Sequence, residues 1–448
     1  MAPDEIAFMS VTELGRAYRA GALSPVDVIS ASLQRLDVLE PSLNAVAQRL
    51  DASAIAEAEK AATELRAGKD RGPLHGIPVA IKDLIEVDGA LTGYGSKVRL
   101  PALASADALL VKRLREAGAI IFCKANLLEY AYGIAHPEIG QTNNPHDTGR
   151  TSGGSSGGSA ALVAAGIVPL ATGTDTGGSI RIPASYCGIS GLKPSFDLVP
   201  LDGVFPLSGT LDHAGPLARD VTDTALLLEA LSGRPMPLTP PSLSGVRIGA
   251  VRFHCASPEL TPAVAANLVW ALERLAAAGA IVKPIDIPEL SRANSELRRI
   301  ILPEASVIHS PLYSENPAGY APRTKAQVEA GFEAKAIDYL RAQNFRVELR
   351  NAVEAAFGEV DVLIGPSVPF PSPVKDPEFT EDGEEGEMLS SGFANMTGQP
   401  SLSVPSGMGG HLPLGLQLTG PLGADHRLLQ LALGVEAALA AWRKPSLA

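Results

Sequence analysis

Short apolar runs separated by amphipathic stretches of helix length recur along most of this chain, and that rhythm leaves few folds open to it. Ile77–Ile81 reads as a buried strand, Ala106–Ala117 as a helix stopped by Gly118, and Ala119–Cys123 as the next strand. The pattern returns at Val246–Val251, Thr261–Ala278 and Ala280–Ile285, and long helical stretches then run through Phe357. Val360–Ile364, Ser401–Val404, Leu414–Leu418 and a helix from about Asp425 close it. Strands joined by helices predict an α/β fold, an α/β/α sandwich around a large mixed, mostly parallel sheet. No internal repeat is visible.

Residues 1–70 differ and are expected to form a helical segment packed on a core domain spanning 71–448. Ser10-x-x-Glu13 is a capping box, and Ser24-Pro25 sets an N-cap before a proline at the first helical position, opening a helix to about Glu40. A third helix, about Asp51–Ala67, ends at Gly68. The Pro- and Ser-rich stretch 232–245 predicts an internal linker. Residues 366–387, Pro-rich and then acidic, predict a solvated loop, with a lid over a pocket as the alternative.

A hydrophobic content of 46% over 448 residues suffices for a large core. The formal charge of -12 argues against a surface built for phosphate backbones or anionic lipid, so neither nucleic acid nor membrane is expected as a partner. Three cysteines without a paired pattern, and an N-terminus lacking a basic and apolar leader, point to the cytoplasm. The eight histidines form no metal-spaced pair, and no metal or other cofactor is implied. Cys187 reads as a small buried hydrophobe.

The chemistry lies in Thr151–Ala184, TSGGSSGGSAALVAAGIVPLATGTDTGGSIRIPA, where two Gly/Ser loops flank a small-residue helix and a short apolar run. Glycine lets consecutive N–H groups converge on one oxygen, a phosphate's or an oxyanion's. The phosphate reading fails, because Gly158 is followed by Ser159 and Ala160 where a P-loop needs lysine and a hydroxyl. Gly153–Gly157 matches a G-x-S-x-G elbow, a weak signal in so Gly-rich a loop. Ser190-x-x-Lys193 lacks the K-T-G that accompanies it in penicillin-recognising enzymes and reads as chance.

The segment as a whole resembles the amidase signature hydrolases: GGSSGG, then GTDTGGSIR, ending at Pro183. Blocks at Gly76–Asp83, Ala117–Asn126, Cys187–Pro194 and Leu412–Pro421 extend the likeness in family order. The resemblance implies Ser179 as nucleophile, Ser155 as proton relay and Lys82 as base. It also implies an oxyanion hole of the N–H groups of Thr176, Gly177, Gly178 and Ser179, and loop-ordering roles for Asp175 and Arg181. Tyr130, Tyr132 and Ile134 match positions near the family's acyl pocket, with core packing an equal alternative.

The reaction expected is hydrolysis of small neutral or aryl amides, extending to esters and carbamates (urethanes), by a free-standing monomer or homodimer whose partners are small molecules. Two alternatives remain. One is the glutaminase subunit of a tRNA-dependent amidotransferase, set second because the chain is short for it and no residues stand out to hold the glutamine α-carboxylate and ammonium. The other is an inactive scaffold, set last because Lys82, Ser155 and Ser179 are all present.

Overall fold

The computed structural model describes residues 3–240, 242–377 and 386–447. Its centre is an eleven-stranded mixed sheet. In chain order the strands are β1 (Val46–Arg49), β2 (Pro78–Lys82), β3 (Ile120–Ala125), β4 (Leu170–Asp175), β5 (Ser190–Lys193), β6 (His213–Ala218), β7 (Arg247–Val251), β8 (Ile281–Ile285), β9 (Val362–Pro366), β10 (Ser401–Gly409) and β11 (Leu412–Thr419). Across the sheet they run β1-β3-β2-β4-β6-β5-β10-β11-β9-β7-β8.

Helices cover both faces, which confirms the α/β/α class. Parallel pairing is concentrated in two blocks, β3-β2-β4 and β9-β7-β8, where strand–helix–strand units follow one another. Between the blocks, β4-β6-β5-β10-β11-β9 pair antiparallel. Tight connections explain part of this centre: β10 and β11 are joined by a two-residue turn, which only antiparallel neighbours allow.

The N-terminal helices are α1 (Val11–Arg19), α2 (Pro25–Leu43) and α3 (Asp51–Arg66). Ser10 and Glu13 close the capping box that starts α1, and Ser24 with Asp27 does the same for α2. Residues 1–70 are not purely helical, however. Their β1 pairs antiparallel with β3 and forms one edge of the sheet. Its half-exposed alternation carries no apolar run, so β3's open edge recruits it rather than its own sequence. Val11, Leu14 and Tyr18 lie in the same apolar cluster as Ile77, Leu228 and Leu418. Among the described residues of 232–245, Met236 and Leu243 are buried likewise, and Thr239 donates twice to Gln430.

The remaining helices that matter to the site are α4 (Leu109–Glu116), α5 (Gly157–Ala164), α6 (Arg181–Cys187), α7 (Val221–Ser232), α8 (Pro262–Ala277), α9 (Leu290–Glu315), α10 (Pro322–Phe332), α11 (Ala336–Ala356), α12 (Gly392–Thr397) and α13 (Asp425–Leu439). All of α5 and α6 is buried, and α5 starts at a point of close backbone approach. A Cβ on Gly158 would lie 2.5 Å from the carbonyl oxygens of Ala45 and Asn126 and 2.6 Å from the Asn126 nitrogen. Gly158→Ala is expected to destabilise the protein by about 2 kcal/mol or more, since backbone cannot swing aside as a side chain can. A urea midpoint unchanged from wild type would contradict this.

Candidate active site

The site forms where β2 and β4 end side by side. Parallel pairing of Ile81 with Thr172 brings Lys82, the last residue of β2, beside the end of β4. The loop before α5 supplies Ser155 and Ser156, reached through a cis peptide bond between Gly154 and Ser155. The turn from β4 to α6 supplies Thr176–Ser179. Three separate segments thus meet at one end of the parallel block.

Lys82 is fully buried, and its Nζ lies 2.7 Å from Ser155 Oγ, 2.9 Å from Ser156 Oγ and 2.8 Å from Thr174 Oγ1. Burial pushes the amine down to about 7, while the charges of Asp175 and Asp212 pull the other way. A neutral amine has two N–H groups and one lone pair. Ser156 Oγ has its own proton directed to the Thr174 carbonyl at 3.2 Å, so toward Lys82 it can only accept. With Thr174 Oγ1, three hydroxyls ring the amine. Sequence reading missed both Ser156 and Thr174. The doublet Ser155-Ser156 was the available signal for the first, and only strand pairing places the second.

Ser179 lies at the N-terminal edge of α6, half-buried, in the wall of a cavity of about 110 Å³. Gly154, Ser155, Thr176, Gly177 and Gly178 line the same cavity. Gly178 has φ +147, and a Cβ there would sit 2.5 Å from Ser391 Oγ, so the turn has room only for glycine. The Ser391 hydroxyl donates to the Gly177 carbonyl at 2.6 Å and ties the turn to Ser391.

Asp175 and Arg181 bracket this turn and are both fully buried. The guanidinium makes two bonds to the carboxylate, at 2.9 and 3.0 Å, and reaches the Ser391 carbonyl, Gln417 and Asn395. Asp175 also accepts from the Ile180 N–H and from Asn395. Burial alone would push the Asp175 carboxyl up; Arg181 and these donors hold it well below the usual carboxylate range. The pair welds β4, α6, α12 and β10–β11 together around the turn.

Of the three residues expected at the acyl pocket, only Tyr132 lines the cavity. Tyr130 does not: it is buried in an aromatic cluster with Tyr94, Phe205, His309 and Tyr320, stacked on Tyr94 at 5.4 Å. Ile134 does not either. It is half-buried, its carbonyl accepting from the Glu129 N–H. The three lie on a bend where Tyr130 and Ala131 have positive φ, so side-chain direction could not be read from spacing. Far more of the wall comes from α9 and α10, through Asn294, Leu297, Arg298, Ile301, Arg323 and Gln327, and from Asp376 and Met388. The lid alternative for 366–387 falls partly outside the described residues; Asp376, Pro377, Glu387 and Met388 line the cavity.

Among the described residues no group of His, Cys, Asp and Glu could hold a metal ion, and no helix is long and apolar enough to cross a membrane. A buried lysine on two serines, beside a glycine turn at the end of a mixed sheet, fits an amide-hydrolysing enzyme.

Known proteins agree. The sequence profile of the amidase family matches residues 27–429, and the chain belongs to that family of amide-hydrolysing enzymes. A structure described as the crystal structure of amidase shares 37% identity at a TM-score of 0.90, covering 96% of this chain and 100% of that one. A glutamyl-tRNA(Gln) amidotransferase subunit from Symbiobacterium thermophilum is 35% identical over 95% of both chains. The subunit of the same name from Thermus thermophilus is 36% identical over 96% of this chain and 98% of its own.

These relatives correct two expectations. A free-standing amidase of small neutral or aryl amides, esters and carbamates was preferred, whereas the likeness to amidotransferase subunits runs end to end. Chain length is no objection, since this chain spans 95% and 98% of those subunits. The restriction to small-molecule partners, with no nucleic acid, falls with it. Net charge reports on the surface of one chain, and a subunit can serve a tRNA-directed reaction without itself holding the tRNA.

Proposed function

We propose that this chain is the amide-hydrolysing subunit of a glutamine-dependent tRNA amidotransferase. The observation that carries the reading is the likeness to known amidotransferase subunits, at 35% identity over 95% of both chains in one of them. In this reading Ser179 Oγ attacks the side-chain carboxamide of glutamine, Ser155 passes its proton to neutral Lys82, and the N–H groups of Thr176, Gly177, Gly178 and Ser179 hold the oxyanion. The proton returns through Ser155 to the leaving nitrogen, which departs as ammonia rather than as an amide anion. Water then frees glutamate from Ser179, and a partner subunit uses the ammonia to amidate glutamyl-tRNA.

The cavity wall supports an amino-acid headgroup. Asp376 accepts from Thr151 Oγ1 at 2.7 Å, and Arg323 donates to the adjoining Pro377 carbonyl. Burial pushes the Asp376 carboxyl up, so an arriving ammonium would stabilise its charged form. Arg323 supplies the opposite charge for the α-carboxylate. Sequence reading had found no such pair, because these residues lie far from the Gly/Ser loops in the chain.

The test is glutamine turnover by the purified chain, alone and with its partner subunits. Ammonia release from glutamine is expected, increased by the partners, and Asp376→Asn is expected to raise the KM by about 30-fold or more. Turnover of p-nitroanilides with none of glutamine in either setting would reject the proposal.

A further inference from the structure

One buried carboxylate near the reacting groups has no part in that mechanism. Asp212 is 8% exposed and lies one residue before β6. Antiparallel pairing sets His213 opposite Asp175, so Asp212 falls opposite Thr176, the first residue of the turn that carries Ser179. Its Oδ1 accepts from the Thr176 hydroxyl at 2.6 Å. Its Oδ2 accepts from the N–H groups of Leu207 and Ser208, at 2.8 and 3.0 Å. Leu207 is itself part of the cavity wall. On the outer side of the same loop, Glu304 of α9 takes the Ser208 hydroxyl and both donors of Thr210.

We propose that Asp212 is a positioning residue of this site, tying the start of the Thr176–Ser179 segment to the Leu207 wall so that the segment's N–H groups stay aimed at one oxygen. The inference rests on Ser179 and Lys82 being nucleophile and base. Without the Thr176 bond, the first residue of the segment is free to rotate, and misdirected donors lose most of their effect on a developing oxyanion.

The same carboxylate has a second, electrical consequence. Two acids favour the ammonium form of Lys82: Asp175 and Asp212. Asp175 is balanced by Arg181 in direct contact, with Lys193 also acting on it, while Asp212 is held by three neutral donors. Burial, with Glu304 adding to it, pushes Asp212 up to about 6, so it is ionised at neutral pH. His213, next to Asp212, is pushed well down by burial and Lys193 and stays neutral, and Arg298, Arg323, Asp376 and Glu387 stand across the cavity from the turn. Asp212 is therefore the uncompensated negative charge acting on Lys82. Its removal should let Lys82 lose its proton at lower pH.

The experiment is the rate at which a fluorophosphonate modifies Ser179, followed as a function of pH. This readout needs the nucleophile, the base and the oxyanion donors but not glutamine. Asp212→Asn keeps the volume, removes the charge and turns one acceptor into a donor. It is expected to lower the plateau rate about tenfold or more and to move the acid limb down by about half a pH unit or more. Thr176→Val removes the hydroxyl and keeps the carboxyl, so its plateau should fall about tenfold through the lost tether.

An Asp212→Asn limb at the wild-type pH, or a Thr176→Val rate equal to wild type, overturns the proposal. If Asp212→Asn fails to fold, the Thr176→Val rate decides alone. A wild-type protein that takes no adduct on Ser179 refutes the nucleophile assignment itself, a result distinct from either variant's.

Discussion

Lys82→Ala is expected to lower kcat for amide hydrolysis by roughly 10⁴–10⁶-fold at neutral pH, the range for removing one member of a catalytic triad. The amine touches three hydroxyls, and the neighbouring buried cations are engaged elsewhere: Arg181 is committed to Asp175, and Lys193 donates to the Pro194 carbonyl. In the wild type, activity should rise with pH through about 7, because the working form is the neutral amine and burial brings its titration to about 7. Below that pH Lys82 holds a proton and cannot accept another. The variant should lose this limb as well as the rate. Folding should suffer far less, by about 1–3 kcal/mol, since the vacated space is ringed by hydroxyls that can bond one another or water. Wild-type turnover in the variant, measured beside a urea unfolding curve, would refute the relay.

Arg181→Ala should do the reverse, acting first on the fold. It leaves the fully buried Asp175 carboxylate without its counter-charge and the Ser391 carbonyl without a donor, a loss of about 3–5 kcal/mol. The pH dependence follows from the sign of the shift. Asp175 is held below its unfolded value, so its contribution is complete above about pH 4 and fades as pH falls through the folded-state value. Stability near neutral pH should therefore be flat in the wild type with respect to this group, and the variant should unfold at a clearly lower urea concentration. A variant as stable as wild type would mean that Asn395 and the Ile180 N–H suffice to hold the charge.

The two variants separate what could be read from residue order and what could not. β7, β8 and β9, with α8 between them, stand within two residues of their sequence readings, because each is an apolar run or stripe bounded by its own stop signals. Lys82, Ser155 and Ser179 were legible because each sits in a block of family residues, and the structure brings Lys82 onto Ser155 and sets Ser155 and Ser179 in one cavity. Tyr130 and Ile134 were misplaced, since a bend with two positive-φ residues decides which side chain faces inward. The proposed headgroup partners, Arg323 and Asp376, were not legible for a related reason: they come from α10 and a loop far along the chain.

By itself the sequence determined the α/β class, the helix caps and membership of a family of amide-hydrolysing enzymes, all of which depend on local spacing or on motif blocks. Tertiary structure alone decided that Thr174 and Ser156 contact the Lys82 amine, that Asp212 stands opposite Thr176, and that α9 and α10 wall the cavity. Those facts depend on strand register and helix docking. Both are set by the burial of apolar surface summed over the whole chain, and no local stretch of residues encodes them.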